Sequence, residues 1–241
     1  MSVTIENIVI NFSSMSSSTL LNNISAYWKF DEEYDPMYPS WTALDSTGNG
    51  NNAPTGNVII GVGVIGNCYD FRGISSSVIV GDKLKFTSAF SFSFWFKNTA
   101  NGSEQYFIEH SGYDGAWKGY RFTIYETGSI GIMLADGNNS HVLDVAYSSL
   151  KNDGNWHHVV VTFNGSIVYV YLDGVKNSGW SWPYTLAYVS PGTNMLIGVG
   201  SGSVLYLNGE LDEIGAWERA LTDSEAAELY NTGSGNTYPF S

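Results

Sequence analysis

Cysteine is all but missing from this chain. Cys68 stands alone, which excludes an intrachain disulfide and any metal site built from several thiolates. Within "GNCYDF" it reads as a small buried hydrophobe on a strand. Basic residues are scarce as well: ten Lys and Arg stand against 23 Asp and Glu, a formal net charge of −13. Nucleic acids are gripped by basic surfaces, so that class of partner is disfavoured. The acidic surface favours solubility, and some carboxylates are candidates to hold a metal ion. No apolar run is long enough to cross a bilayer. The opening stretch, "MSVTIENIVINFSSMSSSTLLNN", lacks the basic n-region of a secretory signal. The expectation is a chain not exported by the usual signal route, unless a leader has been removed.

What remains is rich in β-formers. Hydrophobic residues make up 43%, aromatics 15% and charged residues only 14%, with 27 glycines. That balance suits sheets and turns and supplies a sizeable core. Residues 1–10 read as a short strand and the Ser-rich stretch 13–19 as a linker. Residues 1–23 are therefore expected to form an arm, with one domain over 24–241. Period-2 alternation then recurs to residue 217. Strands are expected at 24–30, 67–72, 76–81, 90–97, 104–110, 120–126, 129–135, 141–147, 194–200 and 207–217. In "FSFSFWFK", Phe90, Phe92, Phe94 and Phe96 face one way, and Ser91, Ser93 and Trp95 the other. "NWHHVVVTFNGSIVYVYLDGV" (155–175) reads as a meander with turns at Asn164-Gly165 and Asp173-Gly174, both suited to type I′. Val168, Val170 and Leu172 face one side, Tyr169 and Tyr171 the other. One helix is expected over "LTDSEAAELYN", with Thr222 as N-cap and Glu225 completing a capping box. Eleven or more closely spaced strands predict an all-β fold, a two-sheet antiparallel β-sandwich with one short C-terminal helix.

The ordered runs "YWKFDEE", "DSTGNGNNA", "FSFSFWFK", "NWHHVVVTFNGSIVYVYLDG" and "GELDEIGAWERALTDSEAAELYN" carry a resemblance. They look like the laminin G-like domain, and more closely the concanavalin A-like lectin/glucanase jelly rolls of bacterial and viral surface proteins. The likeness covers roughly residues 24–231. It implies two curved sheets, frequent use as a carbohydrate-binding or adhesion module, and often a bound calcium. The positions matching the calcium site are Asp31, Asp45, Asn51 and Asp212. A bland alternative for Asp45 and Asn51 is an Asx-turn at a hairpin tip.

Two aromatic groups are candidate sugar platforms, since Trp and Tyr faces stack on the apolar C–H faces of sugar rings. One is Trp180, Trp182 and Tyr184 in "GWSWPYTLAY", against the alternative of a core Trp pair. The other is Tyr113 and Trp117 in "EHSGYDGAWKGYRF", against a plain hairpin loop. The four histidines form no metal set, because His157 and His158 point to opposite faces and the others lie on other strands. Catalysis is not expected. A retaining glycosidase needs two carboxylates about 5–5.5 Å apart, and the laminarinase-like motif places them at alternate strand positions. Glu210 and Asp212 share a face, but Ile214 and Gly215 leave the motif incomplete. The function expected is a non-catalytic glycan-binding or adhesion module on a virion or cell-surface assembly. The alternatives are a purely structural virion protein, with residues 1–23 as its assembly contact, and a glycoside hydrolase.

Overall fold

The computed structural model describes residues 18–32, 42–98, 104–145, 150, 152–177, 179–202 and 205–240. The strands in chain order are β1 (Ile24–Trp28), β2 (Thr42–Ala43), β3 (Ala53–Gly56), β4 (Ile59–Val62), β5 (Asn67–Arg72), β6 (Ser77–Gly81), β7 (Phe90–Asn98), β8 (Gln105–Tyr113) and β9 (Trp117–Ile124). They continue with β10 (Ile130–Asp136), β11 (Ser140–Val145), β12 (His157–Phe163), β13 (Ile167–Leu172), β14 (Val175–Lys176), β15 (Trp180–Ser181), β16 (Met195–Ile197) and β17 (Asn208–Trp217). A nine-stranded sheet runs β14-β13-β12-β7-β17-β5-β4, with β1 also on β17 and β15 also on β13. An eight-stranded sheet runs β11-β10-β9-β8-β16-β6-β3-β2. The pairings are antiparallel, so the two-sheet sandwich expected from the alternation is the observed architecture.

The alternation decides the core. Phe90, Phe92, Phe94 and Phe96 of β7 are fully buried between the sheets, beside Val159 and Val161 of β12 and against Phe107 and Phe122 of the other sheet. Each such ring contributes roughly 1.5–3 kcal/mol through removal from water. Val168 and Val170 of β13 join this core, while Tyr169 and Tyr171 face outward. On the outer face of the nine-stranded sheet, Tyr27, Val160, Tyr171 and Trp217 meet α1 (Asp223–Tyr230) through Ala226 and Leu229, together with Leu20 and Phe240. The helix begins as the capping pattern requires: Thr222 accepts from the Glu225 N–H, and the Glu225 carboxylate accepts from the Thr222 N–H.

The hairpin turns are of two kinds. Asp173 and Gly174 both lie at positive φ, 49° and 74°, as a type I′ turn demands. Asn164 does not. Only Gly165 has positive φ there, and the Asn164 Oδ1 accepts the N–H groups of Ser166 and Ile167. The Asn164 N–H also donates to the Ile167 carbonyl, so residues 164–167 form a turn held by an Asx hydrogen bond rather than the expected I′ pair. Expected strands also run differently at their ends. β8 and β9 extend to the tip at Tyr113 and Trp117, and β16 is only three residues long. The short β2, β3 and β4 carry too little pattern to be read from sequence.

Residues 1–17, the Ser-rich run up to residue 17 and the last part of the strand expected at 141–147 fall outside the described residues. Residues 18–23 are packed on the domain. Leu20 is fully buried, its carbonyl accepts from the Trp217 Nε1–H at 2.7 Å, and Arg219 donates to the Thr19 and Asn22 carbonyls. Packing therefore continues N-terminal to the 23/24 boundary. Leu20→Ala is expected to lower stability by about 2–5 kcal/mol, as for a core leucine. Urea unfolding measures this; a change within 0.5 kcal/mol, about what a surface substitution gives, would show that the segment adds no core.

Candidate binding site

The four positions assigned to calcium fall into two separate pairs. Asp45 follows β2 and bridges to Trp28. Its Oδ1 accepts from the Tyr27 N–H, the Thr47 N–H and the Thr47 hydroxyl, and its Oδ2 from the N–H and side-chain amide of Asn51. Against its own burial, these donors hold the Asp45 carboxyl below the usual range. The Asn51 amide also donates to the Ser25 carbonyl, and the Asn51 carbonyl accepts from the Trp28 indole. This knot fastens the 45–51 loop to β1, and its carboxylate oxygens are already taken.

Asp31 and Asp212 meet elsewhere, across the turn at 63–67. The Asp31 Oδ1 accepts from the Asn67 N–H at 2.8 Å. The Asp212 Oδ2 accepts from the N–H groups of Val64 and Ile65 at 2.7 and 3.1 Å, while its Oδ1 is buried without a donor. Burial pushes the Asp212 carboxyl up to about 8, with the charges of Glu213 and Asp31 adding to it. Glu213 sits at φ 50°, accepts from the Tyr27 and Thr237 hydroxyls, and is pushed by burial to about 7. Among the described residues, no three His, Cys, Asp or Glu side chains gather as a metal-holding group. The Asp212 Oδ1 thus keeps hydrogen-bonding capacity among the described residues, whereas both Asp45 oxygens are already engaged by N–H and O–H donors.

The same strand decides the carboxylate pair considered for catalysis. Glu210 pairs with the Lys97 ammonium and lies opposite Asp70, while Asp212 is fully enclosed beneath the 64–65 turn. No open pair faces a substrate there. His157 and His158 do face opposite ways. His157 bridges Asp153 and Asp173, which raise its pKa, while His158 is buried against Ser93 and burial lowers it to about 3.

The aromatic candidates separate too. Trp180 and Trp182 flank the end of β13 at the open side of the sandwich, opposite β10 and β11. There a cleft of about 310 Å³ is lined by Ile132, Leu134, Leu143, Val168, Trp180 and Trp182, with His141 and Tyr184 at its polar margin. Trp182 is core, 4% exposed, and its buried indole N–H has no partner among the described residues. Tyr184 is 39% exposed. The His141 and Tyr184 rings are parallel within 3°, centroids 6.5 Å apart, and Trp182 stands nearly perpendicular to both at 5.5 and 5.2 Å. Read from sequence, His141 is only one of four histidines that form no metal set; its place in the cleft depends on β11 lying next to the 180–184 segment. Tyr113 and Trp117 form a separate pair at the β8–β9 tip, edge to face at 5.5 Å and 66% and 37% exposed.

With this geometry in hand, the comparisons define the class. The profile of the concanavalin A-like lectin/glucanases superfamily, laminin G type, matches residues 72–227, and the chain belongs to that family. No curated protein matches the sequence. Among solved structures, the binding domain of Paraclostridial Mosquitocidal Protein 1 superposes with TM-score 0.69 at 19% identity, covering 89% of this chain and 53% of that one. The botulinum neurotoxin serotype D binding domain gives 0.68 at 17%, with 89% and 53% covered. Domain 4 of AbnA, a GH43 extracellular arabinanase from Geobacillus stearothermophilus, solved in complex with arabinotriose, gives 0.65 at 18%, with 89% and 98% covered. The chain spans about half the length of the toxin binding domains. At these identities the likeness is one of fold alone. No described helix is long and apolar enough to cross a membrane.

The buried acid pair predicts an unusual pH dependence. Asp212 and Glu213 keep protons in the folded chain up to about 8 and 7, whereas the unfolded groups release theirs near 3.8 and 4.5. Folding takes up protons in that window, so their contribution is full below the unfolded values and is lost as pH rises through 7 and 8. In chelator, the melting temperature is expected to fall from pH 5 to pH 8.5, and Asp212→Asn to flatten the slope. A flat wild-type profile would contradict the burial of these acids.

Proposed function

We propose that the chain is a non-catalytic glycan-binding module, its sugar held in the cleft at the open side of the sandwich. The observation that carries this is the half-open aromatic cleft itself: Trp180, Trp182, Tyr184 and His141 over an aliphatic floor, within the size range of small-ligand sites. Tyr184 supplies an exposed stacking face, Trp180 a half-buried wall, and Trp182 packs edge-on against Tyr184 and His141. The arabinotriose bound by one structural neighbour supports a sugar on this fold, and the toxin binding domains support a role in attachment. The enclosed state of Asp212 supports binding without hydrolysis. The family supports an extracellular or surface setting.

The test is a glycan array followed by titration of any sugar retained. Tyr184→Ala is expected to weaken binding several-fold, in line with the roughly 0.5–1.5 kcal/mol of an aromatic contact, with melting unchanged. Wild-type affinity in both Tyr184→Ala and Trp180→Ala would remove the cleft as the site.

We also propose that calcium, where this module uses it, is held by Asp31 and Asp212 in a structural role. Bound there, the ion neutralises two crowded carboxylates and pins the 63–67 turn. At pH 8 calcium should raise the melting temperature relative to chelator, and Asp212→Asn should abolish the difference. No shift in the wild type would withdraw the ion.

A further inference from the structure

The cleft at the open side of the sandwich changes character along its length. The β10–β11 register sets His141 opposite Leu134, Leu143 opposite Ile132 and Val145 opposite Ile130. Alternate residues share one face of a sheet, so these pairs form successive rows, each about 6.5–7 Å from the last. Exposure falls in the same order along β11: His141 is exposed, Leu143 half-buried and Val145 buried. From the other sheet Val168 and its ladder partner Trp180 line the same cleft.

The chemistry differs from one row to the next. The outer row carries the polar groups, the His141 imidazole and the Tyr184 hydroxyl, on two exposed and parallel rings. The second row is hydrocarbon: Ile132 and Leu143 from one sheet, Val168 from the other. The Trp182 indole N–H is enclosed and offers a ligand nothing. A sugar hydroxyl pushed into the second row would lose its water without gaining a partner, which is costly. A bare sugar therefore fits the outer row only, and the second row suits an apolar group attached to it.

Charge and size narrow the class. No Asp, Glu, Lys or Arg lines the cleft, and the whole chain carries −13. The carboxylate of a fatty acid would find no cation there and would be repelled, so the head group is neutral. The volume of about 310 Å³ lies at the small end for ligand sites and must also hold part of the sugar. That suits a short alkyl chain or a single aryl ring, not a long acyl chain.

We propose that the cleft takes a neutral amphipathic glycoside, its sugar ring on Tyr184 and His141 and its alkyl or aryl aglycone among Ile132, Leu143 and Val168. The proposal rests on the reading of this cleft as a sugar site and names what the sugar carries.

The probes are the methyl, butyl and hexyl glycosides of glucose, galactose and arabinose, titrated calorimetrically into the full chain below micelle formation, with 1-hexanol as the sugar-free control. For a sugar that binds, each buried methylene should tighten binding by up to about fourfold, and hexyl should exceed methyl by about tenfold or more. Tyr184→Ala should weaken every alkyl form alike and keep the hexyl-to-methyl ratio. Leu143→Gln, which puts an amide in the hydrocarbon row, should cut that ratio several-fold. If Leu143→Gln perturbs folding, the wild-type ratio decides alone. Equal affinity for the methyl and hexyl forms overturns the apolar subsite and leaves the sugar reading intact. A ratio that a folded Leu143→Gln leaves unchanged places the chain elsewhere and also overturns it. Binding of 1-hexanol as tight as that of the hexyl glycosides removes the sugar from the ligand, and with it the proposal. Absence of binding to any probe removes both readings together.

Discussion

The last strand, β17, is the member on which the nine-stranded sheet closes. Along one edge it pairs with β7. Along the other it pairs with β5 through residues 208–211 and with β1 through residues 214–217. The exchange of partner occurs at Asp212 and Glu213, where the register with β7 slips and Glu213 takes a positive φ. Two strands from distant parts of the chain thus share one edge, and the gap between them must be filled. The adjacent carboxylates do this. Asp212 draws in the 64–65 turn beside β5, and Glu213 receives Tyr27 of β1 and Thr237 of the C-terminal segment. Burying two acids is costly, and their raised pKa values record that cost, but each carboxylate joins segments that no backbone ladder connects.

That closure makes the two outer faces unequal. Once β1 and β17 are aligned, Trp217, Tyr27 and Tyr171 present an apolar surface, and residues 18–23, α1 and the segment ending at Phe240 cover it. Glu225 ties these pieces, accepting from Arg219, Thr19 and Thr222 together. The described helix belongs to that side. The other sheet keeps exposed Tyr113, Trp117 and Val142 on its outer face and the open cleft at its β10–β11 edge.

The strands, their faces and the helix were legible because each rests on local pattern: period 2 in "FSFSFWFK", the capping box at 222–225, Asp-Gly at 173–174. The candidate site was legible only in its residue types. Trp180, Trp182 and Tyr184 alternate in sequence, but whether an aromatic lines a cleft or fills the core depends on the opposite sheet. Trp182 went inside and Tyr184 stayed out. The place of His141 in the cleft could not be found, since it comes from cross-strand register and from the neighbouring 180–184 segment. Asn164-Gly165 shows the limit at the smallest scale, where a side-chain hydrogen bond selected a turn that dipeptide preference alone did not.

The acidic composition has a further consequence. Asp31, Asp45, Asp136, Asp153, Asp173 and Asp212 all accept backbone N–H groups in turns or at strand ends. Each supplies an acceptor to a backbone N–H that an irregular segment leaves without a ladder partner. Aspartates at turns consequently resemble ion sites in the sequence, because the same oxygens that would ligate a cation also cap backbone N–H groups. What separates the two uses is saturation. Asp45 has both oxygens taken, whereas Asp212 retains a buried oxygen with no donor among the described residues. Residual hydrogen-bonding capacity, rather than the number of carboxylates, separates an aspartate that could still take a ligand from one that only caps a turn.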